Sequence, residues 1–181
     1  MSEFLTETEF LELQPELQAG KARLCIPRSI SRDFFIRVSN SSVENTTGHS
    51  LRLKKFVIWT GVAIPPLMFI ACAAHVINEF AWTATLLIPL LGIFWTIVTG
   101  LTGDRGNFLA GTVAMLLAVG IASLLPQAYA VILLLISLSL WLHRCVFFLA
   151  QHWLVQLLAQ SYPAFDMLVE HIEIQRGQTD S

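Results

Sequence analysis

The sequence predicts an all-α membrane protein with four transmembrane helices and both termini in the cytoplasm. Three observations lead there. Residues 56–148 carry formal charge only at Glu79, Asp104, Arg105 and Arg144, each where an apolar run ends. The runs between them are about 18 to 22 residues long, and at ~1.5 Å per residue each reaches across a ~30 Å hydrocarbon core. The chain is 55% hydrophobic and 13% charged over 181 residues, too apolar for an ordinary soluble domain. The expected organisation is a cytoplasmic arm and linker (1–50), a four-helix transmembrane domain (51–148), and an interfacial helix with a cytoplasmic tail (149–181).

Residues 1–20 hold five Glu and no Lys or Arg. With no basic stretch leading into an apolar one, they do not read as a secretory signal, so the first span is expected to do the targeting. Either a short acidic helix, capped by Ser2 or Thr6, or plain disorder is expected here. Phe4, Leu11 and either Phe10 or Leu5 share its face, and Pro15 ends it. Its acidic side suits a protein partner better than anionic lipid. Residues 21–55 reverse the sign, with eight Lys or Arg against Asp33 and Glu44. The cations are not interleaved with stacking aromatics, so they point to a membrane surface and not to nucleic acid. Weak alternation in 21–38 predicts a β-hairpin or extended arm, too small for a core of its own. The Ser/Asn/Thr-rich stretch 39–50 reads as a linker. Its Asn40 and Asn45 tripeptides fall on the cytoplasmic side of the expected topology, where glycosylation is not expected.

The spans are expected at about 56–77, 81–102, 107–125 and 128–147. In the first, Pro65 and Pro66 remove two backbone donors and predict a kink or break, a hinge whose open carbonyls need a donor such as Thr60 or a Thr of another helix. In the second, Thr85, Pro89, Gly92, Thr96 and Gly100 stack on one face, with Pro89 a second hinge. The third repeats the pattern with Ala110, Ala114, Ala118 and Ala122. Small residues every fourth position let helix backbones approach closely, so both stripes read as helix-packing faces. Only Pro126 and Gln127 separate the third span from the fourth, which predicts a tight antiparallel hairpin.

The apolar stretch from 128 to 161 is too long for one crossing, since 34 helical residues extend about 51 Å. An Arg at the bilayer centre is costly, which puts His143 and Arg144 at the interface. The helix beyond carries His152, Gln156 and Gln160 every fourth residue, a narrow polar stripe that reads as interfacial or partner-docking. After Pro163, the pattern Phe165, Leu168, Val169 and Ile172 predicts an amphipathic helix. The chain from Gln175 reads as disordered. Arg52, Lys54, Lys55, Arg105 and Arg144 are the expected membrane-surface anchors, and all fall on one side if both termini are cytoplasmic.

The chemistry sought in this chain is not expected. His75 and His143 fall at opposite ends of their spans, which disfavours a haem held between them. Cys25, Cys72 and Cys145 lack metal-ligand or redox spacing. Ser137 and Ser139 have no base at their depth, no span carries a titratable group at mid-membrane, and 103–106 reads as a turn. The expectation is no enzyme, no cofactor, no metal, no small-molecule substrate and no nucleic acid. The partners expected are the lipid bilayer and other membrane proteins or copies of the chain itself. The role that follows is a non-catalytic integral subunit or scaffold of a membrane assembly. Bacterial inner-membrane secretion, conjugation or envelope machinery suits its size. The alternative is a homo-oligomeric pore lined by the face of Thr85, Thr96 and Thr99.

Overall fold

The computed structural model describes residues 6–39, 43–44, 48, 50–80, 82–86, 88–90, 93 and 108–176. It is mostly helical (81%). The elements are α1 (Glu7–Gln18), β1 (Ala22–Cys25), α2 (Arg28–Arg37), α3 (Arg52–Glu79), a 3-10 turn (Trp82–Leu86), α4 (Phe108–Ala122), α5 (Gln127–Gln160), α6 (Tyr162–Asp166), a 3-10 turn (Val169–His171) and β2 (Glu173–Arg176). They divide into two compact units, one made of 1–58 with 149–181, the other of 59–148.

The first unit joins the two ends of the chain. Thr6 caps α1 through a full capping box: its hydroxyl accepts from the Glu9 amide, and the Glu9 carboxylate accepts from the Thr6 amide at 2.7 Å. Pro15 lies inside α1 and does not end it. Its missing donor faces the carbonyl of Leu11, a residue 56% exposed, where water can substitute. The buried face is Phe10 and Leu13, with Leu11 turned outward, so the expected apolar face is displaced. The helix closes on Gly20, whose φ of 72° suits a residue without Cβ. The Gly20 and Lys21 amides reach back to the Leu17 and Glu16 carbonyls.

That turn feeds β1, which pairs antiparallel with β2, Ala22 opposite Arg176 and Cys25 opposite Glu173. The hairpin expected within 21–38 is therefore replaced by a strand from each end of the chain. Residues 28–37 form α2, because Ser31, Phe34 and Phe35, all buried, recur at the i, i+3, i+4 spacing of a helix. The tail departs from expectation as well. Instead of one amphipathic helix and a disordered end, it forms α6, a 3-10 turn and a strand that includes Gln175 and Arg176. Phe165, Val169 and Ile172 are buried, and Arg176 pairs with Glu16 at 3.2 Å. The Phe10 ring meets those of Tyr162 and Phe165 at centroid distances of 5.5 and 5.1 Å. Leu154, Leu157 and Leu158 of α5 are buried in the same unit.

The second unit is built on α3 and α5, both long and apolar enough to cross a membrane. α3 runs unbroken through Pro65 and Pro66. Partners along the two helices run in opposite directions: Gly61 against Val146, Pro65 against Ser139, His75 against Ala128 and Phe80 against Tyr129. The stretch from Gly61 to Phe80 rises about 28 Å at ~1.5 Å per residue, close to a hydrocarbon thickness. Cys72 and Val76 bury with Ile88 and Ile136 at this seam.

Among the described residues two helices reach crossing length, where four were expected. The segment expected as the second span opens in a 3-10 turn at Trp82–Leu86, and most of its remainder lies outside the described residues. The third is the 15-residue helix α4, about 22 Å long at ~1.5 Å per residue. It stops at Ala122 because the Leu124 and Leu125 amides turn back three residues and Ser123 Oγ donates to the Gly120 carbonyl. The fourth span and the helix expected after it are one element, the 34-residue α5, with no break at Arg144.

Two expectations follow from the first unit. Phe35 is fully buried, with its ring edge-on to Phe34 and 6.3 Å from Trp153. Phe35→Ala should cost about 3–5 kcal/mol, read as faster limited proteolysis of residues 21–50 in detergent. The bonds from Thr6 hold the Glu9 carboxyl below its ordinary value of 4.5. Its ionised form therefore favours α1 fully above that value, and the contribution is lost as the pH falls through the lowered one. The Thr6 amide resonance should move over that acid window, and Glu9→Gln should abolish the movement.

Candidate functional site

The residues that the sequence singles out for packing and docking are distributed over both units. In the second unit, α3 and α5 approach closely at Gly61, where an added Cβ would strike Val146 Cγ2. About one turn further along α3, Ser139 Oγ donates to the Pro65 carbonyl at 3.1 Å, a fully buried bond. It gives a cross-helix donor to a carbonyl beside the proline pair, whereas the carbonyls that the two prolines leave open belong to Gly61 and Val62. Pro65 is buried and Pro66 exposed. Ser137 Oγ, also buried, has no hydrogen-bond partner among the described residues.

The seam between α4 and α5 is antiparallel, as expected of the short connection. Thr112 Oγ1 accepts from Trp141 Nε1 at 3.2 Å, and the Phe108 and Phe148 rings stack at 4.9 Å. Arg144 lies across Gly111, where a Cβ would come within 2.5 Å of Nη1 and 3.1 Å of Cδ. Of the alanine stripe, Ala118 and Ala122 are buried, Ala114 is half-buried and Ala110 is exposed. Gly111 completes the buried face.

In the segment expected as the second span, Thr85 is half-buried and its hydroxyl donates to the Trp82 carbonyl at 2.6 Å, within its own turn. Pro89 is exposed. Gly92, Thr96, Thr99, Gly100 and Arg105, with Asn40 and Asn45, lie outside the described residues. His75 Nε2 is 3.1 Å from the Ala128 carbonyl, and the His143 ring packs on Phe147 at 4.8 Å. Among the described residues, no three His, Cys, Asp or Glu side chains gather in a metal-binding group.

In the first unit, Arg52 is exposed while Lys54 and Lys55 are half-buried. Lys55 Nζ donates to the Val38 carbonyl that ends α2, and Lys54 Nζ stands 5.9 Å from the centre of the Trp153 ring. His152, Gln156 and Gln160 are all exposed along α5, opposite the buried Leu154, Leu157 and Leu158. The neighbouring Gln151 was missed by sequence reasoning. Its Nε2 donates to the Ile26 carbonyl at 2.7 Å and its Oε1 accepts from Arg28 Nε at 3.1 Å. Nothing local in the sequence distinguishes Gln151 from the stripe beside it. Gly61 and Gly111 were missed too; a small residue inside an apolar helix was the only available signal.

The two glycines should differ in tolerance. At Gly111 the obstacle is the far end of a flexible arginine, which can shift. At Gly61 it is a β-branched valine, stiff about χ1. Gly61→Ala should therefore destabilise by about 1–3 kcal/mol, and Gly61→Ala with Val146→Ala should recover most of that loss in a detergent thermal melt. No protein-family model, no curated protein and no solved structure matches the chain.

Proposed function

We propose that the protein is a multi-pass integral membrane subunit or scaffold, non-catalytic, that presents a folded module built from both chain ends to other membrane proteins. One observation carries the reading: the apolar helices leave their apolar surface uncovered. Within their most hydrophobic windows only 17% of α3 and 28% of α5 is buried, whereas the core helix of a water-soluble domain is mostly buried. Leu67, Ile70, Leu116 and Leu117 are each more than 60% exposed. Such a surface in water would drive association; in lipid it is the proper solvent-facing side.

The crossings follow from connectivity. α3 runs from the level of Val146 to that of Tyr129, and α5 returns. α4 starts beside Phe148, at the end of the unit where Gly61 meets Val146, which is consistent with an even number of passes. An even number of passes leaves both termini on one side. Arg52, Lys54 and Lys55 at the start of α3, against Glu79 at its end, favour the cytoplasm for that side. A bacterial inner membrane, with secretion, conjugation or envelope machinery as the assembly, is consistent with this layout. No His, Lys, Arg, Asp or Glu falls between Gly61 and Ala74 of α3 or between Tyr129 and Leu142 of α5, which favours a structural role over proton- or ion-coupled chemistry.

Two measurements test the reading. In a cysteine-free background, Ser50→Cys and Gln160→Cys should label from one side of the membrane and Asn78→Cys from the other. Labelling of all three from one side sinks the insertion. Gentle extraction through a tag should recover other membrane proteins at fixed ratios; this chain alone, as a ring that makes liposomes conduct, would point to a pore instead.

A further inference from the structure

We infer that α2 and the first turn of α3 form a binding surface for anionic phospholipid headgroups. This rests on the membrane reading above and adds to it a ligand class. Both elements belong to the first unit. They carry six cations, Arg28, Arg32, Arg37, Arg52, Lys54 and Lys55, against one carboxylate, Asp33.

The fold collects these charges from separate parts of the sequence. Gln151 ties the start of α2 to α5 through Arg28 and Ile26, and Phe35 packs its middle on Trp153. Lys55 holds its end through the Val38 carbonyl, while Lys54 lies over the same Trp153 ring. The cations of α2 are thereby fixed beside those that open α3. Asp33 is shared by Arg32 at 2.6 Å and Arg37 at 3.9 Å, and the Arg37 side chain remains 81% exposed. One carboxylate between two guanidiniums leaves the surface strongly positive.

Apolar side chains stand among these cations. Leu53 is 75% and Phe56 68% exposed, flanking Lys54 and Lys55 in the chain. A site for free phosphate has no use for exposed leucine and phenylalanine. A lipid has both parts, an anionic headgroup for the guanidiniums and acyl chains for Leu53 and Phe56.

The test uses the full chain in detergent, offered phosphatidylglycerol and phosphatidylcholine in equal amounts, with retained lipid read by native mass spectrometry. Phosphatidylglycerol should be retained roughly five-fold over phosphatidylcholine. Arg37→Gln with Arg52→Gln should remove most of that preference, and Arg23→Gln, on the exposed side of β1, should leave it intact. Equal retention by the unaltered chain, or a preference that survives the double substitution, overturns the proposal. So does displacement of the lipid by millimolar inorganic phosphate, which would assign the surface to a soluble anion. Release of the protein from native membranes by alkaline carbonate would instead overturn the membrane reading, and this proposal with it.

Discussion

Helices have little hydrophobic reason to associate in a bilayer, because lipid tails are as apolar as their side chains. What holds them is close backbone approach and the few polar bonds made out of reach of water. In this chain both devices fall on the seam between α3 and α5. Gly61 admits Val146 where another residue would hold the backbones apart, and about one turn further along α3 Ser139 reaches the Pro65 carbonyl. The proline pair weakens the backbone ladder of α3 at its middle, and this is also where α5 supplies a donor. The cross-helix bond lies beside the proline pair and fixes the register of the two helices as well as their separation. α4 depends on the same helix, since Thr112, Gly111 and Phe108 all pack on positions of α5.

α5 also shows how one helix can serve two environments. Its first two-thirds keep the composition of a span, while its last third, in the first unit, is covered by protein. There the buried leucines 154, 157 and 158 are met by the chain's own ends, with Gln14 donating to the Ala159 carbonyl at 3.2 Å. The greasy face that asked for a partner finds one within the chain. What remains outward is the polar stripe of His152, Gln156 and Gln160. A docking role for that stripe consequently means polar recognition, with hydrogen bonds giving specificity more than burial giving affinity.

The parts legible in the sequence were those set by local composition. Absence of charge over 56–148 located the long apolar helices, and Thr6 was named as a possible cap for α1. The illegible parts depend on residues distant in the chain. β1 pairs with a strand about 150 residues away, so neither half shows a hairpin signature on its own. α2 was misread because Phe34, Phe35 and Ile36 look like strand residues. The helical spacing was present, but its first position is Ser31, which is buried because its hydroxyl donates to the Pro27 carbonyl at 3.1 Å. A polar residue at a core position conceals the period from any reading that counts only apolar ones. The end of α4 was misplaced for a different reason: Ser123, Leu124 and Leu125 are apolar enough to extend a span, yet the turn before Pro126 takes their backbone.

The packing face of α4 shows the limit of a stripe as a guide. Small residues every fourth position drift around a helix of 3.6 residues per turn, so a strict stripe cannot face one neighbour along its whole length. Ala110 is accordingly exposed while Ala118 and Ala122 are buried, and Gly111, one position along, takes over the contact. Arg144 lies across this position, and a Cβ at 111 would meet its Cδ and Nη1, so the arginine arm would have to shift. A cation half-buried between helices is costly in lipid unless its long stem lies on apolar surface and its head reaches a polar level. Gly111 provides the first of these conditions by clearing a path along α4. The small residue at 111 and the charge at 144 are therefore linked, and neither position can be understood from its own helix alone.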